Sequence, residues 1–600
     1  MVIDLNDVIP FFHWLPGALL YWLVIVAIVT GIATVVAWLV AAVRHGPIVA
    51  MRLTWRLLCG AVDDLVHMSP RRVAALAWLS IKESIRRRVV IVFIVFIVIL
   101  SFAGWFLDPG SINPGRLYLS FVLTATSYLL LLLALFLSTL SLPADIKNRT
   151  LHTVVTKPVR ASEIVLGRIL GFAAVGTCLL VFMGVTCYVF VERGLSHTHQ
   201  LTADDLRPLQ SGPAGEPAGL QGYTSRANRH RHKVIIDPSG EGRLEMEQGH
   251  WHRLTVHKEG DKVSYQIGPP EGMLLARVPI YGKLSFRDRK GQVEAHGLNT
   301  GDEWTYRSYI EGGTLAAMVW KFQGVSEKDF PRGLPVEMTI GIFRTHKGNI
   351  EKGVPGSLAV RNPQTGEKVD VRIFEAKEYV TDVQFIPRQL HTADGQPRDL
   401  FRDLVDDKGE VEIWLSCVVP QQYFGAAQGD LYLRAGDASF PLNFAKGYLG
   451  IWLQMMLVIG LGVMFSTFLS GPVALMTTLG TLIGGLSHEF MFKLAMGQTY
   501  GGGPAESFIR MLTQDAVTVE MEPGLRTATA QTVDALTQFW MRLMAAVIPD
   551  FGHFSFADYV AYGFNISGDT ALTFTCRAMA YLLPVFVAGY LCLKTREVAK

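Results

Sequence analysis

Ser141 to Gly171 reads SLPADIKNRTLHTVVTKPVRASEIVLGRILG, a short, basic and amphipathic stretch lying between two long apolar runs. The run before it, Leu117 to Leu142, and the run after it, Ile164 to Val191, are each long enough to cross a bilayer, which takes about 20 such residues. Lys147, Arg149, Lys157, Arg160 and Arg168 place the link on the cytoplasmic side, because Lys and Arg concentrate in cytoplasmic loops. The stretch therefore reads as a cytoplasmic elbow between two membrane helices, built to touch something.

Half of the 600 residues are hydrophobic, yet a long middle region is polar, which is the mixture of a membrane protein carrying a folded domain outside the bilayer. The net charge of +3 is small, and the basic residues gather beside apolar segments. Charge here reports topology and gives no sign of nucleic-acid binding.

The same rule orders the rest of the chain. The apolar run from about Ala18 to Val43 is too long for a signal-peptide core and reads as a retained spanning helix. Only Asp4 and Asp7 precede it, whereas Arg44, His45, Arg52 and Arg56 follow, so the N-terminus is expected outside. Val89 to Leu107 is expected to run outward after Arg86, Arg87 and Arg88, and DPGSINPG at Asp108 makes an outer turn. Further spans are expected at Tyr448–Leu469, Val473–Phe492 and Ala578–Leu593, ending in the basic cytoplasmic tail KTREVAK.

Within the polar region, VSYQI at Val263, EWTYRSYI at Glu303, VEMTIGIF at Val336, VDVRIF at Val369 and VEIWL at Val411 alternate apolar with polar residues, the period of half-buried strands. Turn signals such as NPQTGE at Asn362 and DDKGE at Asp406 separate strands. The expected fold is an α-helical polytopic membrane protein of about seven transmembrane helices, with an inserted β-rich, sandwich-like extracytoplasmic domain. The divisions are 1–44 (outer tail and first helix), 45–88 (cytoplasmic linker and amphipathic helix) and 89–193 (three helices, with the coupling segment 142–162). There follow 194–446 (β-rich domain), 447–492 (two helices), 493–577 (outer or interfacial amphipathic segment) and 578–600 (last helix and tail).

Cys417 stands alone in the polar domain, and Cys59, Cys178, Cys187, Cys576 and Cys592 show no metal-ligand spacing, so they read as packing residues. Histidines form one cluster: His197 and His199, His230 and His232, His250 and His252, with His257 nearby. Alternate histidines on a strand face the same way, as a copper or zinc site requires, and His230, His232, His250 and His252 are the candidate ligands. Against that, Arg229, Arg231 and Arg253 adjoin them, no Asp or Cys joins the spacing, and solvated histidines on loops are common. The expectation is accordingly no bound metal and no directly bound cofactor.

Catalytic signatures are missing from the sequence. His488 and Glu489 begin like HExxH, but Phe492 takes the place of the second histidine, and there is no G-x-S-x-G. No GxxxxGK[ST] phosphate loop occurs either, so the chain is not expected to be an enzyme or to hydrolyse ATP by itself.

Four pieces taken in order, WLSIKESIRRRVV at Trp78, PADIKNRTLHTVVTKPVRASEIVLGRILG at Pro143, FSTFLSGPVAL at Phe465 and YLLPVFVAGYLCLKTREVAK at Tyr581, resemble the type-2 ABC export permease family. The resemblance implies an amphipathic helix along the inner leaflet at Arg71–Arg88, with Val73, Leu76, Ala77 and Ile81 on one face. It also implies that the elbow is a coupling helix docked on a cytoplasmic ABC ATPase through Asp145, Lys147, Arg149, Lys157 and Pro158, with Asp145 a shorter variant of the usual Glu. Leu151, Val154 and Val155 would supply an apolar anchor, and Arg160 belongs to the same basic stretch. The implied protein is the permease subunit of an ATP-driven exporter in the inner membrane. ATP and Mg would be bound by the partner ATPase, and a second copy or a related permease would complete the pathway. The first helix and the large outer insertion are additions to the family core. A competing expectation is a membrane-anchored sensor or scaffold whose β-rich outer domain binds an envelope component or a protein partner.

Overall fold

The computed structural model describes residues 10–86, 90–108, 110–111, 113–148, 159–208, 219–237, 241–259, 262–298, 307–345, 352–378, 380–498, 501–516 and 524–596. The apolar runs form helices, as residues that bury backbone polar groups in lipid must. The helices are α1 (Phe11–His45), α2 (Pro47–Val66), α3 (Pro70–Arg86), α4 (Val90–Phe106), α5 (Pro114–Lys147) and α6 (Ala161–Leu195). After the β-rich region come α7 (Phe440–Phe468), α8 (Gly471–Leu486), α9 (His488–Ala495), α10 (Pro504–Thr513), α11 (Leu525–Val547), α12 (Ala557–Ala561) and α13 (Gly568–Thr595).

Five helices among the described residues, α1, α5, α6, α7 and α13, are long and apolar enough to cross a membrane. The helix α4 has 17 residues, and α8 has 16. The expected span from Val473 to Phe492 is interrupted at Ser487, where a new helix starts with His488 and Glu489. At 1.5 Å per residue α8 reaches about 24 Å, short of the roughly 30 Å hydrocarbon core. The stretch 45–88, read as a linker ahead of one amphipathic helix, holds two helices, α2 and α3. In the bundle α7 is the most enclosed, with Leu453, Met455 and Val458 fully buried, while α1 leaves Leu20, Ile25, Val29 and Ile32 exposed.

The polar region falls into two compact units instead of one. Residues 275–443, with 563–565, form one unit; residues 194–274 belong with the helices. In the first unit a six-stranded sheet combines Lys368–Ala376, Val354–Arg361, Val411–Cys417, Ala317–Phe322, Lys283–Arg287 and Val293–Glu294 in that order. A four-stranded sheet combines Asp382–Pro387, Gly333–Met338, Leu431–Asp437 and Arg277–Tyr281. Trp320, Leu358 and Ile413 from the first sheet and Leu334, Val336, Ile386 and Leu433 from the second share one apolar core.

The second part, following α6, is a small antiparallel meander: β1 (Leu206–Pro208), β2 (Leu220–Tyr223), β3 (Lys233–Ile236), β4 (Gly242–Leu244), β5 (Trp251–Glu259) and β6 (Lys262–Glu271). The first four strands pair in sequence order and β5 pairs with β6. Leu201, Val234, Ile236 and Leu244 form its apolar core, with Leu254 and Ile267 packed against them.

Candidate functional site

Both ends of the elbow are held by charge. At its start Asp145, in the last turns of α5, pairs with Arg168 of α6, and Arg168 also bonds Glu83 of α3 at 2.7 Å and the Ser141 hydroxyl. At its far end Arg160 precedes α6 and lies 3.3 Å from Asp63 and 3.6 Å from Asp64 of α2. Asp64 in turn accepts from Lys594 at 2.7 Å and from the Tyr590 hydroxyl at 2.8 Å, both on α13. Lys147 lies exposed in the last turn of α5, while Arg149, Leu151, Val154, Val155, Lys157 and Pro158 lie outside the described residues.

The helix α3 turns its apolar face to α6. A methyl group at Gly167 would come within 2.6 Å of the Leu76 Cβ, and one at Gly171 within 2.6 Å of the Ala77 carbonyl oxygen and the Ser80 Cβ. Glycine is what permits this approach. Trp78, Leu79 and Ile85 remain exposed on the other side of α3. The fully buried carboxylate of Glu163, three residues after Arg160, accepts from the Ser69 amide at 2.8 Å, the Arg160 amide at 3.0 Å and the Arg72 guanidinium at 2.6–3.0 Å. Sequence reasoning missed Glu163, Arg72 and Glu83, although an acid three residues into a helix is a capping-box signal.

The expectation of solvated histidines is overturned. His197, His199, His230, His232, His250 and His252 are all buried, and one ligand atom from each lies within 4.8 Å of every other. His257 is exposed on β5, away from the cluster.

Local backbone geometry explains the convergence. Ala227 and His230 exchange both backbone hydrogen bonds across a two-residue turn whose centre, Asn228 and Arg229, has φ of 45° and 66°. Glu247 and His250 do the same around Gln248 and Gly249, at 48° and 74°. Positive φ at both central residues defines the tight turn that matches the strand twist in hairpins. Each turn leads at once into a His-x-His pair, His230 and His232 just ahead of β3 and His250 and His252 at the start of β5, and alternate residues of extended chain share a face. His197 and His199 follow the end of α6 directly, and the exchange between Gln200 and Ser225 fixes that segment beside the meander.

Every Nδ1 meets a backbone carbonyl: His197 with Leu195 at 2.9 Å, His199 with Ser225 at 2.7 Å, His230 with Asn228 at 3.3 Å. The others are His232 with Glu245 at 2.9 Å, His250 with Gln248 at 3.5 Å and His252 with Gly268 at 2.8 Å. The Nε2 atoms face one another, with 3.1–3.3 Å separating His197 from His250 and His252, His230 from His199 and His250, and His232 from His250. Burial pushes His199, His232 and His252 down to about 4 and His250 down to about 2, with the neighbouring imidazoles acting in the same direction. Burial lowers His197 as well.

The turns that carry two of the pairs rest on the loop between α4 and α5. Arg229 lies 3.2 Å from Asp108, and the Gln248 amide donates to the Gly110 carbonyl at 3.1 Å. No protein-family model matches the chain, and no curated protein or solved structure matches it.

Proposed function

We propose that the chain is the membrane-spanning subunit of an ATP-driven exporter, moved by a separate cytoplasmic ABC ATPase that binds ATP and Mg. The observation that supports this reading best is the mounting of the elbow. A segment that transmits force from an ATPase needs stiff attachment, and here the two ends of residues 145–160 are tied by ion pairs to α2, α3, α6 and, through Asp64, α13. Partly buried charges of this kind resist sliding because breaking one leaves its partner uncompensated.

In this reading α4 and α8 join the five long helices as spans, giving seven, with the N-terminus outside and the elbow and C-terminus in the cytoplasm. The contacts from Asp108 and Gly110 to the meander fit that arrangement, since they put the α4–α5 loop and the segment after α6 on one side of the bundle. The two sheets of residues 275–443, sharing one core, fit the sandwich-like fold expected of the polar region. Two copies of the chain would complete the pathway, with the exposed apolar face of α1 turned to lipid or to the second copy.

The test is purification of the tagged full-length chain in mild detergent, comparing wild type with Leu151→Asp/Val155→Asp. An ATPase carrying a phosphate loop should accompany the wild type and be lost from the variant. Recovery of an envelope component without any such ATPase would favour the sensor or scaffold reading.

A further inference from the structure

We infer that the six histidines form an octahedral, all-imidazole site for one divalent first-row transition-metal ion, of the Fe(II), Co(II) or Ni(II) type. Proton positions come first. A backbone carbonyl has no proton to give, so each Nδ1 that bonds one must be the donor, and this fixes the tautomer with an unprotonated Nε2. Six Nε2 lone pairs then converge on one buried point. Protons shared between the Nε2 atoms would have to be taken from the Nδ1–H groups, leaving lone pairs against carbonyl oxygens. Extra protons would make adjacent buried imidazolium ions. A cation at the centre satisfies all six at once, and the Nδ1–H···O=C bonds are the usual outer support of histidine ligands.

The packing of the rings gives the coordination geometry. Each imidazole lies 4.8–5.2 Å, centroid to centroid, from four of the others and steeply inclined to them. The combinations left out are His197 with His232, His199 with His250 and His230 with His252. Each ring is missing one partner, and no ring is missing from two pairs. That is the adjacency of an octahedron, in which every vertex touches four others and faces one across the centre. Dividing the 3.1–3.3 Å separations of neighbouring Nε2 atoms by √2 gives a centre-to-nitrogen distance of about 2.2–2.3 Å. Imidazole–zinc bonds run about 2.0–2.1 Å, and a tolerance of about 0.2 Å is the working criterion for a site.

Donor chemistry narrows the ion. Neutral nitrogen ligands disfavour Mg and Ca, which take oxygen. Zn favours four ligands, and Cu(II) favours a tetragonal field. Six imidazoles suit the ions that accept octahedral nitrogen coordination. With no open position for water or substrate the ion is structural and is neither a catalyst nor cargo in transit. It would staple the segment leaving α6 to the two hairpin ends that rest on the α4–α5 loop.

The test is elemental analysis of the full chain purified without added metal, followed by chelator stripping and titration with Co(II) and Ni(II). About one equivalent of a divalent transition ion per chain is expected, as isolated or after titration. Its absorption-edge spectrum should fit six nitrogen neighbours near 2.2 Å. His199→Ala/His250→Ala should reduce metal content at least tenfold, while His257→Ala should retain it. Circular dichroism and the elution profile of each variant guard against reading misfolding as metal loss. No stoichiometric ion in wild type and none taken up after stripping would overturn the site. A fit to four nitrogen ligands would overturn the octahedral assignment. Neither result depends on whether an ATPase is found.

Discussion

Adding one methyl group at Gly171 should loosen the amphipathic helix α3 from the bundle, and the same change at Gly480 should not. At Gly171 the new Cβ falls 2.6 Å from the Ala77 carbonyl oxygen and the Ser80 Cβ, whereas ordinary contact begins at 3.4 Å, a shortfall of about 0.8 Å. The obstacle includes backbone, which cannot rotate aside, so α3 must shift as a body. Overpacking of this kind costs about 1–3 kcal/mol, while replacing a helical Gly by Ala returns about 0.5–1 kcal/mol. Gly171→Ala should therefore be destabilised by a net amount on the order of 1 kcal/mol. Nothing lies within 4 Å of a Cβ at Gly480, so Gly480→Ala should keep only the helical gain. Thermal melts of the two full-length variants in one detergent compare them directly. A Gly171→Ala protein melting at or above Gly480→Ala would refute the close α3–α6 contact.

Other expectations rest on separate parts of the molecule. Glu163→Gln takes the counter-charge from Arg72 and weakens two amide contacts to a buried side chain, so it should lower stability, read as an earlier melt, and an unchanged melt would contradict this tie between α3 and α6. Trp320 is fully buried and donates to the Gln428 carbonyl at 3.2 Å, so Trp320→Ala should cost about 3–5 kcal/mol and appear as early proteolysis within residues 275–443. In metal-stripped protein the imidazoles of His199, His232 and His252 stay neutral down to about 4 when folded, but protonate near their ordinary 6.5 when unfolded. The unfolded module binds more protons across that interval, so stability should fall as pH drops from 6.5 to 4 and stay level above it. Protease sensitivity of residues 219–271 against pH would measure this, and a flat profile would contradict the buried neutral cluster.

Much of the membrane part was legible because lipid imposes one requirement, an uninterrupted apolar helix, and the runs around Ala18, Leu117, Ile164, Tyr448 and Ala578 meet it. The break at Ser487 was less legible, since the surrounding apolar residues outweigh His488 and Glu489 in any average over the segment. Strand alternation was clear where one face is buried, as in Val411–Cys417, whose burial alternates residue by residue. The division of the polar region near residue 275 left no comparable mark, because both parts are β-rich. Of the histidine site, the His-x-His spacing was visible and the burial was not. Convergence depends on two turns with positive φ, and neither Asn-Arg nor Gln-Gly advertises such a turn as strongly as Asn-Gly does. The readable signal was the repeat itself, a two-residue turn followed at once by His-x-His, at residues 228–232 and again at 248–252. The ion pairs that hold the elbow join residues as far apart as Asp64 and Lys594, and sequence distance hides such pairs.

The most direct measurement on the exporter reading is a photo-crosslink from the elbow in native membranes. A photoreactive residue replacing Val155 should capture a single cytoplasmic protein that carries a GxxxxGK[ST] phosphate loop, and added nucleotide should change the yield. Capture of lipid alone, or of proteins without a phosphate loop, would contradict an ATPase docked at this segment and with it the proposed transport function.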